Sequence, residues 1–388
     1  MSRPWALALA ACLLGLPTAA VVIRGGATPE ADARLKAQAH ALALEHPNVV
    51  WMQFHAGTGN SQEFGDCTGV YLGLAQDGHT GLILTSAHQW LQSPPELQSI
   101  LVHFCPGRQS GDYEGRVRAA GLRVVFPFPA ALGAAAAASS AASAPAPRAG
   151  WDFTRDPDLA LVLLDLGPAK AEQLEALGVR PARLYDGDGY RSRPLLDALI
   201  VGYGRFATRT SLHLENQRDP AGYAGYTKVT YGTLPGRATF FHLAPFTKAG
   251  EALLGPARKD PTLNTYQWRQ VDAEETWVDA ESLAKVAVRS HPRQALTTNG
   301  DSGGPMFLKT SQGLALAGIA SAEKGHFLLS PQADRVEQFI CQQWEPVKPH
   351  LAWIEAVRQG RLGDSRVLDA EQNVNLKKQL KTKDGAGK

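Results

Sequence analysis

Apolar residues in this chain come in short runs, three to seven residues long, separated by Gly, Pro and Asp, and this punctuation restricts the fold more than any other feature. The runs are Val49 to Phe54, Thr68 to Leu74, Leu82 to Leu84, Ile100 to Phe104, Leu159 to Leu164, Ala198 to Val201, Tyr226 to Tyr231, Ala238 to Leu243 and Leu314 to Ala320. Each has the length of a strand and is too short for an average helix. Many short strands with turn signals between them predict an all-β barrel or sandwich.

The exceptions are few. Pro29 to Glu45 reads as a helix with Leu35, Ala39 and Leu42 on one face, and His40 and His46 in its polar pattern read as solvated. Near the end, Pro349 precedes Leu351, Trp353, Ile354 and Val357, the spacing of a short amphipathic helix. Residues 129–149 are mostly Ala, Pro and Ser with a run of five alanines, which reads as a surface insertion rather than a core segment. A second irregular stretch runs from about Thr247 to Arg293, and the chain after Gly363 reads as a polar tail. With 388 residues, 44% of them hydrophobic, there is material for two packed units.

A formal net charge of +2 without a basic stripe gives no footprint for nucleic acid, so none is expected as a partner. Arg3, the apolar stretch Trp5 to Leu16, Pro17 and the small residues Thr18-Ala19-Ala20 form a signal peptide over residues 1–20, with cleavage expected after Ala20. Pro17 argues against a retained membrane anchor, and only Trp5 to Ala8 precede the lipoprotein-like Leu9-Ala10-Ala11-Cys12, too few for an ordinary apolar region. The expected destination is outside the cytoplasm, with no stable membrane association after cleavage. Cys67, Cys105 and Cys341 then remain. No Cys-x-x-Cys pair or His-Glu-x-x-His helix is present, so neither a metal nor another cofactor is expected.

The chemistry concentrates at Asn299-Gly300-Asp301-Ser302-Gly303-Gly304-Pro305. A nucleophilic serine needs room for a tetrahedral intermediate and backbone N–H groups aimed at the developing oxyanion, which explains the crowding of glycines; Gly300 and Ser302 are the expected donors. A hydroxyl at its ordinary pKa needs a base, and His88 in Leu84-Thr85-Ser86-Ala87-His88, at the end of an apolar run, is the candidate. Asp158, directly before Leu159 to Leu164, is the candidate to orient that imidazole. Its rivals are Asp156, separated from the run by Pro157, and Asp165 at the far end.

Together these segments resemble the trypsin-like, chymotrypsin-fold serine peptidases, whose hallmarks are Ala-His after a strand, Asp-(Ile/Leu)-Ala-Leu and Gly-Asp-Ser-Gly-Gly-Pro. The order His, Asp, Ser agrees, and it excludes the subtilisin and α/β-hydrolase orders. Fainter similarities extend from Ile23-Arg24-Gly25-Gly26, through Gly202-Tyr203-Gly204 and Gly318-Ile319-Ala320-Ser321, to Trp353-Ile354. The resemblance implies two six-stranded Greek-key β-barrels with the active site in the cleft between them. The expected limits are 21–185 and 186–346 for the barrels, 347–362 for the C-terminal helix and 363–388 for the tail. It also implies a secreted serine endopeptidase acting on a peptide or protein substrate through an acyl-enzyme; the alternative is a non-catalytic or highly restricted homologue that binds through its cleft or inserted loops.

By the same resemblance Leu296, six residues before Ser302, occupies the place where charge-reading members carry a carboxylate, so poor cleavage after Arg or Lys is expected. Ser321 flanks the strand on which substrate pairs, and Glu323 is either a displaced carboxylate for the pocket or a solvated loop charge. Asp301 is the expected partner of an activating amine. Val22 rather than Arg or Lys precedes Ile23, so the amine expected is that of Val21 in a shifted register, released with the signal peptide, unless an internal donor replaces it. Gln89 and Thr298 stand where many members carry cysteines, which marks the chain as a divergent, bacterial-style member. A Cys67–Cys105 bridge within the first barrel is the remaining expectation.

Overall fold

Most apolar runs fold as antiparallel strands longer than the run itself, because flanking polar residues still find ladder partners: Thr68 to Leu74 becomes part of Glu63–Leu74. The computed structural model describes residues 22–23, 28–56, 63–92, 97–105, 117–127, 156–191, 196–204, 222–234, 237–245, 295–297, 300–329, 336–363 and 365–370. Strand β1 (Val22–Ile23) and helix α1 (Pro29–Leu44) precede β2 (Val49–Ala56), β3 (Glu63–Leu74), β4 (Thr80–Thr85), β5 (Leu97–Phe104), β6 (Val117–Phe126) and β7 (Ala160–Asp165). The neighbour order is β6-β5-β2-β3-β4-β7, and β7 pairs back onto β6 to complete a six-stranded barrel.

The second barrel repeats this plan. It contains β8 (Leu196–Gly202), β9 (Tyr223–Leu234) and β10 (Arg237–Pro245), then, after the short β11 (Ala295–Leu296), β12 (Pro305–Thr310), β13 (Gly313–Leu329) and β14 (Val336–Pro346). It closes in the order β10-β14-β13-β12-β8-β9. In each barrel the first three strands are sequential neighbours and the sixth returns beside the third, the order of a Greek key.

Three packed clusters account for the runs being apolar on both faces. Met52, Ile83, Ile100, Val102, Phe104, Val162 and Leu164 fill the first barrel. Ala198, Ile200, Val229, Phe240, Met306 and Trp344 fill the second. Residues one step along the same strands, among them Leu84, Leu161, Leu199, Val201 and Phe307, form the contact between the barrels. A period of two therefore sends alternate side chains into a barrel and into the junction. Each fully buried Leu, Ile, Val or Phe contributes about 1.5–3 kcal/mol. Helix α4 (Leu351–Arg358) adds Ile354 and Val357 to the junction. Two further helices are α2 (His88–Gln92) and α3 (Gly167–Ala176).

Several expectations need correction. Residues Arg366–Asp369, inside the stretch read as a tail, form β15 and pair with β6. Cys67 and Cys105 are buried and form no disulfide. The reason is topological. Cys67 lies on β3 opposite Met52, Cys105 comes directly after β5, and β2 runs between those strands. Two strand spacings, about 10 Å, exceed the span a disulfide bridges. His46 is not fully solvated: it stacks on Phe307 at 5.6 Å, and burial lowers its pKa. Residues 129–149, read as an insertion, and all of 247–293 lie outside the described residues.

Candidate active site

Strands β4 and β7 are neighbours, with Thr85 opposite Ala160, so the residues just after β4 meet those just before β7. This pairing brings His88, the first residue of α2, to Asp158. Asp158 is fully buried. Its Oδ1 accepts the backbone N–H groups of Ala87 and His88, each at 2.8 Å. Its Oδ2 accepts from His88 Nδ1 at 2.8 Å and from the Ser321 hydroxyl at 2.6 Å. These donors compensate a carboxylate removed from water, which would otherwise be very costly to bury. Because Nδ1–H is committed to Asp158, Nε2 is left as an acceptor, and it lies 3.0 Å from Ser302 Oγ. Asp156 is buried but is not in this chain of bonds, and Asp165 pairs with Thr80 at the opposite end of β7.

Ser302 sits in a loop of the second barrel that is pressed against the first. Gly300 and Gly303 have φ of 95° and 83°, which side-chain-bearing residues rarely adopt. A Cβ on Gly303 would also fall on Thr85 Oγ1 and on the Thr68 carbonyl. The motif is glycine-rich here because it lies against another backbone. The Thr68 N–H donates to the Ser302 carbonyl at 3.0 Å, and the Thr68 hydroxyl donates to the Gly300 carbonyl at 3.0 Å. Asp301, 1% exposed, accepts the Gly204 N–H at 3.1 Å.

The residues expected to read substrate are only partly described. Leu296 pairs through its backbone with Val22, and Glu323 with Gln342; their side chains lie outside the described residues. Ser321 turns its hydroxyl toward Asp158. Among the described residues no group of three potential metal ligands occurs, and no helix is long and apolar enough to cross a membrane.

Three buried polar residues, Thr68, Gln342 and Glu345, went unnoticed in the sequence. Thr68 reaches the Ser302 loop through the two bonds just given. Gln342, fully buried on β14, donates from Nε2 to the Thr297 carbonyl at 2.6 Å and accepts the Thr297 N–H at 3.0 Å, tying β14 to the chain just after β11. Glu345, 4% exposed, accepts the Asp158 N–H at 3.2 Å through Oε2 and faces His350 Nε2 at 3.3 Å through Oε1. Thr68 carries a signal only as the polar first residue of an apolar run, and Gln342 and Glu345 lie among the other polar residues of β14, so none of the three names its partner.

Two six-stranded barrels of one strand order, with a serine, a histidine and a carboxylate linked at their junction, define a chymotrypsin-like fold. No family model matches the chain, and no curated protein does. Among solved structures it is similar to a secreted serine protease, VesC, from Vibrio cholerae, at 16% identity and a TM-score of 0.38. That match covers 81% of this chain and 46% of the Vibrio protein, so this chain spans less than half of that protein's length.

Proposed function

We propose that this chain is an exported serine endopeptidase that cleaves peptide bonds through an acyl-enzyme. The observation that supports it best is the continuous bonding from Ser302 Oγ to His88 Nε2 at 3.0 Å and from His88 Nδ1 to Asp158 at 2.8 Å. In this reading His88 takes the Ser302 proton as Oγ attacks the substrate carbonyl, then returns it to the leaving amine. Asp158 holds the imidazole tautomer and stabilises the imidazolium. The Gly300 and Ser302 N–H groups bind the oxyanion, and water, activated by His88, releases the acyl group. His88 keeps 15% of its side chain exposed, which leaves it reachable from solvent.

Replacing Ser302 by Ala is expected to lower turnover by at least about 10⁴-fold and to abolish labelling by an organophosphonate, with the fold intact. Persistent labelling of the variant would refute the assignment. A mixed peptide library reports specificity in the same assay: cleavage after Arg or Lys is expected to be poor, because Leu296 offers no carboxylate to a buried cation. A strong Arg or Lys preference would instead favour Glu323.

A further inference from the structure

Every polar atom of Thr68 is engaged, and both its N–H and its hydroxyl bond the Ser302 loop. Thr68 is on β3 of the first barrel and fully buried. Its N–H holds the Ser302 carbonyl at 3.0 Å, and its own carbonyl accepts the Thr85 hydroxyl at 2.8 Å. Its hydroxyl joins two backbone groups of the second barrel, accepting the Tyr203 N–H at 3.0 Å and donating to the Gly300 carbonyl at 3.0 Å. The next residue along from Tyr203, Gly204, bonds Asp301. Thr68, Tyr203, Gly204, Asp301 and Gly300 thus form a closed ring around the turn that presents Ser302.

An N–H only donates and a carbonyl only accepts, so a hydroxyl between them has one arrangement that satisfies both. That arrangement fixes the direction of the Gly300 carbonyl, and with it the peptide between Gly300 and Asp301. Gly300 is at φ 95°, a conformation that a glycine leaves at little steric cost. A loop of this kind needs an external restraint to keep its N–H groups aimed at one point. The β-branched Thr68 side chain, confined to few rotamers, supplies it.

We propose that the Thr68 hydroxyl is a positioning group that holds the Gly300–Ser302 turn in the conformation needed to stabilise an oxyanion. The inference rests on Ser302 being the nucleophile. Thr68 touches no reacting atom and acts through the backbone of Gly300 and Ser302. Substrate binding does not require an aligned oxyanion site, whereas the tetrahedral intermediate does, so its loss falls on turnover.

The test compares Thr68→Val, which keeps the shape and removes the hydroxyl, with Thr68→Ser, which keeps the hydroxyl and removes a methyl. Both are measured in the full-length protein, per active site titrated with an organophosphonate. Thr68→Val is expected to lower kcat and the labelling rate about 10- to 100-fold with KM within about twofold of wild type; Thr68→Ser is expected to recover both rates to within about threefold. A purely structural residue would shift the melting temperature without changing turnover per titrated site. Wild-type turnover in Thr68→Val, or equal impairment in Thr68→Ser, would overturn the proposal. If Thr68→Val is isolated unfolded, Thr68→Ala decides: water in the vacated space can serve both backbone groups, so the fold is expected to return while turnover stays low, and wild-type turnover overturns the proposal. A wild-type protein that is neither labelled nor active overturns the reading of Ser302 itself, whereas a labelled wild type with unaffected variants overturns only the role of Thr68.

Discussion

His103 shows how a single side chain becomes a pH-dependent component of the fold. It lies on β5 with 3% exposure, its ring stacked on Trp51 at 4.7 Å and its Nε2 3.0 Å from Gln53 Oε1. Burial, reinforced by the Arg118 charge on β6, lowers its pKa from 6.5 to about 4. The unfolded chain therefore binds a proton in a range where the folded ring stays neutral. This stabilisation is complete above the ordinary histidine pKa and is lost as pH falls through about 6.5 to 4, amounting to roughly 2–4 kcal/mol over the window. His103→Phe retains a ring against Trp51 but cannot titrate. Denaturation midpoints measured from neutral pH to about pH 4.5 are expected to fall less steeply in this variant; parallel curves would exclude the role. Residues of this kind were not legible in the sequence, since their neighbours come from other strands. Ser302 was legible because six adjacent residues announce it, whereas Thr68 meets Gly300 across 232 residues of chain.

At the level of elements, legibility tracked apolar continuity. The runs that became β4, β7 and β8 were plain because they are apolar on both faces, one toward a barrel interior and one toward the junction. Strand β6 was hidden by Arg118 and Arg123, and β14 by Glu337, Gln338, Gln342, Gln343 and Glu345, which break the pattern while still pairing. Strand β15 had no signal at all: Arg-Val-Leu-Asp reads as tail until β6 is known to lie beside it. Val367 and Leu368 pack on the junction and first-barrel clusters, and the Ala370 N–H donates to the Leu122 carbonyl. The Arg123–Asp369 ion pair is more than half exposed on both sides and adds little. Removal of residues 364–388 is expected to lower unfolding free energy by about 1–3 kcal/mol, mostly from lost apolar burial and ladder bonds. Chemical denaturation of the truncated and full-length chains checks this, and coincident midpoints would show that β15 contributes no stability.

For the whole molecule, the question that joins both barrels to the N-terminus is what makes the Ser302 loop competent. The barrels meet through an apolar junction, and among the polar ties across it Ser321 and Glu345 of the second barrel bond Asp158 of the first, Thr68 of the first bonds Gly300, Ser302 and Tyr203 of the second, and the Tyr203 hydroxyl donates to the Val49 carbonyl. Just ahead of the loop, β11 pairs with β1, placing Val22 opposite Leu296 and Ile23 opposite Ala295. If the chain is cleaved after Ala20, as its sequence leads one to expect, the new amine is that of Val21, directly before the paired Val22. Asp301 already has an internal donor, the Gly204 N–H. A neutral donor compensates a buried carboxylate only in part, so an ammonium that reached Asp301 would stabilise its charged form further. On the proposed reading, the chain is expected to be active once exported, without a second protease. N-terminal sequencing of secreted protein, followed by direct assay, examines this. A stable form that begins at Val21, is inactive, and gains activity only when trimmed to Ile23 would show that the register is wrong.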